Sequence, residues 1–256
     1  DGSGKMNQLL LATLLCATLT GCLGDSGESV PDFSKMKNAG ERKRVFFCYL
    51  APMIQKENDR LLEERKRLSK IMKQEEKGEE IGRSSRDFVG KLASDYGLST
   101  SAPTKAALST LLGHVDEVPV SLGLAQAANE SAWGTSRFAR EGHNYFGQWC
   151  FEEGCGLVPA QRPKGKVYEV RRFANAQESV DAFVRNLNGN RTYALFRKIR
   201  AEERSRGKVP SGVAVAAGLR DYSARGEEYV KTLQSMIRFN RLANFETASG
   251  IKEACR

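Results

Sequence analysis

Histidine is nearly absent: His114 and His143 are the only two in 256 residues. The six cysteines include no Cys-x-x-Cys pair. The usual nitrogen and sulfur sets for zinc are therefore missing, and neither a metal nor another cofactor is expected. No apolar run reaches the roughly 20 residues needed to span a bilayer, and no internal repeat or low-complexity tract stands out. Acidic residues are in deficit, 31 against 40 Lys and Arg, and the resulting net charge of +9 points to anionic surroundings. Nucleic acid is one such surrounding. No helix-turn-helix, zinc-finger or RNA-binding signature accompanies the charge, so no nucleic-acid partner is expected. The excess is also uneven, with 13 Lys and Arg against 5 Asp and Glu in residues 161–208.

Against these absences, one carboxylate stands in uncongenial company. Val118, Val120, Leu122, Leu124, Ala125, Ala127 and Ala128 are broken only by small or neutral residues, which predicts a helix buried on most sides. Glu130 lies at its end. Partial desolvation disfavours the charged form of a carboxylate, a property that suits a general acid. A solvated glutamate at a helix end is the plain alternative. Gln126 lies one turn before Glu130 and Trp133 about one turn after it, so the three are expected on one face, with Gly134 as the left-handed terminator. Downstream, residues 142–150 (GHNYFGQWC) are dense in aromatics and bracketed by glycine. That composition suits the floor of a sugar-binding cleft, since aromatic faces stack on apolar ring surfaces; a hydrophobic turn packed on the core is the alternative.

Four blocks occur in order: AQAANESAWGTSRFA, HNYFGQWC, YEVRRFANAQESVDAFVRNL and LRDYSARGEEYVKTLQSMI. Together, over roughly residues 31–237, they resemble the glucosaminidases of glycoside hydrolase family 73, and within it the Bax-type proteins of Gram-negative bacteria. The resemblance implies a lysozyme-like fold of the mostly helical α+β class with a small β-hairpin lobe. It also implies cleavage of the β-1,4 bond after N-acetylglucosamine in peptidoglycan. Carried over by motif, Glu130 corresponds to the general acid, Tyr222 to a tyrosine beside the scissile bond, and Trp133, Asn144, Tyr145 and Phe146 to positions that shape the cleft. Gln126 and Trp149 are added as substrate contacts. The family's second carboxylate has no counterpart by motif. Glu169, on an alternating strand-like run, and Glu153, beside Glu152 in the loop between Cys150 and Cys155, are the candidates in the lobe. Two carboxylates are the usual requirement of glycoside hydrolysis, and the substrate's own 2-acetamido group is the third route. A lytic transglycosylase and a non-catalytic peptidoglycan-binding lipoprotein are the rival readings. Stem peptides carry carboxylates, which the basic flank would attract.

Residues 7–19 form an apolar run of signal-peptide length, and residues 19–22 (LTGC) look like a lipobox. Lipidation of Cys22 would anchor the protein in the membrane, on the periplasmic face of a Gram-negative outer membrane; a periplasmic or secreted protein is the alternative. Of the other cysteines, Cys16 falls in the signal and four remain. An even remainder in an oxidising compartment predicts two disulfides: Cys150 with Cys155 across a small hairpin, and Cys48 with Cys255 by elimination. The expected organisation is a signal over 1–21, a flexible tether over 22–34, a helical extension and linker over 35–85, the catalytic domain over 86–250 and a tail over 251–256. The extension reads as helices at 41–51 and 53–77, divided at Pro52. The second carries an apolar stripe of Ile54, Leu61, Leu68 and Met72, interrupted by Arg65, and is expected to pack on the catalytic domain. Asn175 and Glu178 form a capping box, and helices are expected near 192–206, 211–219 and 227–245. A monomer is expected.

Overall fold

The two helices expected either side of Pro52 are one. In the computed structural model, which describes residues 30–99 and 102–256, helix α1 (Ala39–Glu76) runs unbroken with Pro52 inside it. An internal proline removes a backbone donor and costs about 3 kcal/mol. Burial outweighs that cost. Phe46, Phe47, Leu50 and Ala51 before the proline, and Ile54 and Leu61 after it, are all buried, and each large apolar side chain contributes roughly 1.5–3 kcal/mol. Arg65, which breaks the stripe in sequence, donates to the carbonyls of Leu112 and Val115. The interruption is therefore an anchor for the end of the next helix but one. The signal segment and Cys22 lie outside the described residues. Phe33, in the segment expected as a tether, is buried edge-on against Phe46, with ring centroids 5.4 Å apart.

Helices α2 (Arg83–Asp95) and α3 (Lys105–His114) lead to α4 (Val120–Glu130). Every residue of α4 from Val120 to Ala128 is buried, as its apolar sequence predicts. Helices α1 and α4 approach closely at Gly123, where a Cβ would lie 2.9 Å from Ile54 Cδ1. After α5 (Arg137–Gly142) the chain forms β1 (Trp149–Cys150), β2 (Gly156–Leu157) and β3 (Glu169–Arg171). They make an antiparallel sheet of order β1-β3-β2, with Cys150 opposite Glu169 and Leu157 opposite Val170. This lobe carries the Cys150–Cys155 disulfide.

Helix α6 (Ala176–Gly189) starts on the expected cap: Asn175 Oδ1 accepts from Glu178 N at 2.9 Å. Glu178 reaches back to the N–H of Ala174, one residue earlier than in the standard box. The three helices expected after it are each shorter. They are α7 (Ala194–Ser205), α8 (Gly212–Val215) running into a 3-10 segment (Ala216–Tyr222), and α9 (Glu227–Phe239). The last stops where Arg241 takes a φ of 51°, and the chain resumes as a 3-10 turn, Leu242–Phe245. Residues expected as a tail form α10 (Ala248–Ala254), tied to α1 by Cys48–Cys255. Residues 31–256 are one unit of mostly helical α+β architecture with a small antiparallel lobe, as expected of a lysozyme-like domain. No helix among the described residues is long and apolar enough to cross a membrane.

Candidate active site

Helix α4 ends at Glu130 because Ser131 closes it. Its hydroxyl donates to Ala127 O at 2.6 Å and accepts from Gly134 N at 2.8 Å. The next three residues all take positive φ: Ala132 at 50°, Trp133 at 60° and Gly134 at 75°. Only the last is a glycine, and the left-handed conformation costs an L-residue roughly 1–2 kcal/mol. A Cβ on Gly134 would fall 2.4 Å from the Phe33 ring, so this glycine is fixed by space as well as by φ. The turn corrects one expectation. Trp133 does not continue the face of Glu130 but swings away, edge-on to Phe47 at 5.4 Å and beneath Lys43 Nζ at 4.8 Å.

Glu130 opens into a cleft of about 460 Å³ whose walls include Phe146, Gly147, Trp149, Tyr193 and Tyr222. Its Oε1 accepts from the Tyr229 hydroxyl at 2.9 Å and from Asn129 Nδ2 at 3.1 Å. Tyr229 in turn accepts from Gln126 Nε2 at 3.1 Å. Gln126 is fully buried, so it touches the cleft only through Tyr229 and is not a substrate contact. Tyr229 was not among the residues singled out from the sequence, although it lies in the last of the four blocks, LRDYSARGEEYVKTLQSMI.

Tyr222 lies parallel to Tyr229, centroids 5.5 Å apart, with Tyr193 5.7 Å away on the cleft side. Its hydroxyl donates to Phe146 O at 2.9 Å. Burial, reinforced by the neighbouring rings and the Glu130 charge, pushes the hydroxyls of Tyr222 and Tyr229 well above the ordinary tyrosine range; burial also raises Tyr193. All three remain protonated phenols at neutral pH. The folded protein thus holds protons that the unfolded chain releases near pH 10. Stability is expected to be insensitive to these groups below about pH 10 and to fall above it, by up to about 1.4 kcal/mol per pH unit for each tyrosine. Urea midpoints measured from about pH 8 to about pH 11 check this, and a flat profile would overturn it.

The HNYFGQWC segment divides between turn and wall. Asn144 is buried, donates to Gln148 O (2.9 Å) and Arg171 O (2.8 Å), and accepts from the amides of Phe146 (3.3 Å) and Gln148 (3.1 Å). Its amide is spent on the turn. Tyr145 is also buried, against Phe46 and Tyr49. Neither lines the cleft. Phe146 is buried with its ring stacked on Phe183 at 3.9 Å and forms the floor. Trp149, 49% exposed and edge-on to Tyr168, is the one indole of the wall.

None of the lobe glutamates reaches the cleft. Glu169 is buried and accepts from the amides of Gly154 (3.1 Å) and Gly156 (2.7 Å), which hold its carboxyl below the usual range; Arg162 at 3.9 Å adds to this. It is a peg for the hairpin and not a nucleophile. Glu152 and Glu153 are exposed at the hairpin tip. Among the residues lining the cleft, Glu130 is the sole carboxylate. The sulfurs of Cys150 and Cys155 lie close to the Glu169 carboxylate, but both are taken up in the disulfide and offer no thiolate to a metal.

Known proteins are similar in the same region. The profile of the Glucosaminidase family, described as mannosyl-glycoprotein endo-beta-N-acetylglucosaminidase, matches residues 109–242. That span holds Glu130, the three tyrosines and the lobe, whereas α1 lies outside it. The chain is also 34% identical to Protein bax of Escherichia coli (strain K12) over 214 residues, 83% of this chain and 75% of that protein. No solved structure matches. The chain belongs to the Glucosaminidase family, which supports a function of the glycoside hydrolase type.

Proposed function

We propose that the protein is a peptidoglycan hydrolase, an endo-β-N-acetylglucosaminidase that cuts the β-1,4 bond between N-acetylglucosamine and N-acetylmuramic acid with Glu130 as general acid. The observation that carries this reading is a single half-buried carboxylate at the base of an aromatic-walled cleft. Trp149, half exposed in the wall, offers its indole to sugars, and the buried Tyr193 lines the same cleft. With no second carboxylate lining the cleft, the substrate's 2-acetamido oxygen is the internal nucleophile. It bonds to C1 as the glycosidic C1–O bond breaks, and Glu130 delivers its proton to the leaving oxygen. Water then attacks C1, and Glu130 takes back a proton as the acetamido group is restored. Tyr229 orients the carboxylate. Tyr222, its hydroxyl hydrogen engaged in a bond to Phe146 O, presents only oxygen lone pairs to the ligand.

The two disulfides support an oxidising, extracytoplasmic setting. We place the enzyme at the periplasmic face of the outer membrane, anchored through Cys22. A single glutamate also serves a lytic transglycosylase, so the product decides. Mass analysis of fragments released from purified sacculi is expected to show reducing N-acetylglucosamine ends that have gained one water. Anhydro ends, or ends at N-acetylmuramic acid, would overturn the assignment, and absence of any release would leave a binding protein.

A further inference from the structure

The cleft continues past Glu130. Arg171, Phe173, Ala182 and Asn186 line it and also border a second depression of about 560 Å³, completed by Glu178, Asp181 and Arg185. Five of these residues, Glu178, Asp181, Ala182, Arg185 and Asn186, follow the i, i+3, i+4, i+7, i+8 spacing of one helical face of α6. The opposite face, with Val180, Phe183, Val184 and Leu187, is buried in the core. The groove is therefore a rigid, helix-built extension of the catalytic cleft with a distinct chemistry.

That chemistry is charged with both signs. Arg171 and Arg185 are exposed, and among the described residues neither is in an ion pair; Arg171 lines both depressions, and Arg185 stands between this groove and a small pocket that holds Glu57, Glu64 and Asp95. Arg171 lies 5.3 Å over the Phe173 ring, which fixes its position at the junction of the two depressions. Asp181 supplies the negative side, held by Gln177 Nε2 at 2.7 Å. Glu178 is partly committed to the helix cap. Neutral sugar hydroxyls need no such fixed charges. A ligand that bears carboxylates and an ammonium does, because guanidiniums bind carboxylates in paired hydrogen bonds.

We propose that this groove holds the peptide branch of the glycan, with Arg171 and Arg185 taking its free carboxylates and Asp181 its free ammonium, so that peptide-bearing strands are preferred over bare ones. The proposal rests on the glycan reading above, but binding tests it separately from cleavage. The ligands are short peptidoglycan fragments titrated calorimetrically against the Glu130→Gln protein, with the peptide intact or removed by an amidase. Peptide-bearing fragments are expected to bind at least about tenfold tighter, a difference of about 1.4 kcal/mol. Adding Arg185→Ala or Asp181→Asn is expected to bring the ratio below about threefold, and raising the salt is expected to shrink it. Both side chains sit on the solvent side of α6, so folding is preserved. Equal affinity for the two fragments, no measurable binding of either, or a ratio unmoved by Arg185→Ala would overturn the proposal. Preferential binding by the Glu130→Gln protein, together with no release of fragments from sacculi by the unsubstituted protein, would refute the enzymatic reading and leave this one standing.

Discussion

Glu130→Gln is expected to lower kcat by about 10³-fold or more, in the range that removal of a general acid–base catalyst produces, while the melting temperature moves by several degrees at most. The two halves of that expectation have separate causes. Chemistry is lost because no other carboxylate lines the cleft to donate the proton. The fold survives because the amide keeps an oxygen for the Tyr229 hydroxyl and for Asn129, the two groups that now meet Oε1. The two hydrogen bonds to Oε1 weaken from a charged to a neutral acceptor, together on the order of 1–2 kcal/mol, or roughly 2–8 °C for a chain of this size. Retained turnover on sacculi would remove Glu130 from the mechanism. A large loss of stability would show instead that the carboxylate is a structural acceptor.

Glu169 has the opposite signature and makes the contrast useful. Its carboxylate satisfies two hairpin amides, and its folded pKa lies below the ordinary value. The stability it contributes is therefore present above about pH 4.5 and is lost as pH falls through the lower folded value. A substitution there loosens the lobe and leaves the proton donor in place. The buried helix and the motif around Glu130 set it apart in the sequence, whereas the residues beside Glu169 do not reveal its role there. What separates them in the structure is the partner set, backbone amides in one case and an open cleft in the other.

The same limit explains which parts of the site were legible. Glu130 could be read from the chain because the pattern that buries α4 is local, and the hairpin disulfide because its cysteines are five residues apart. Partners distant in sequence could not. Tyr229 meets Glu130 across 99 residues and Gln126 across 103, and no periodicity in α9 marks one of its buried positions as bonded to a carboxylate. Gln126 does lie one turn from Glu130, as helical spacing requires, yet its amide points into the core because Tyr229 offers it an oxygen there. The turn after Glu130 was misread for a different reason. Gly134 suggested a single left-handed residue, whereas the hydroxyl of Ser131 and the buried Phe33 ring support three in succession. Pro52 likewise reads as a break until the core on both sides of it is counted.

Asn144→Ala carries the largest expected stability effect and tests whether HNYFGQWC is a turn before it is a ligand surface. The buried amide makes four hydrogen bonds. Gln148 O keeps the Arg171 amide as a partner, but the amides of Phe146 and Gln148 lose the acceptor that Asn144 provides inside the protein. Losses of this kind amount to about 3 kcal/mol, and hence roughly 6–12 °C in melting temperature. Activity is expected to fall with it, because this turn places the left-handed Gly147 beside Glu130 and presents Phe146 O to the Tyr222 hydroxyl. Asn144→Asp should be nearly as damaging: it keeps an acceptor for the two amides but sets a second oxygen against the carbonyls of Gln148 and Arg171. Trp149→Ala supplies the contrast, since this half-exposed wall residue should raise KM with little change in melting temperature. A thermal scan of the three variants decides between the roles. An Asn144→Ala protein that melts with the parent and shows only a raised KM would place this asparagine back on the substrate surface.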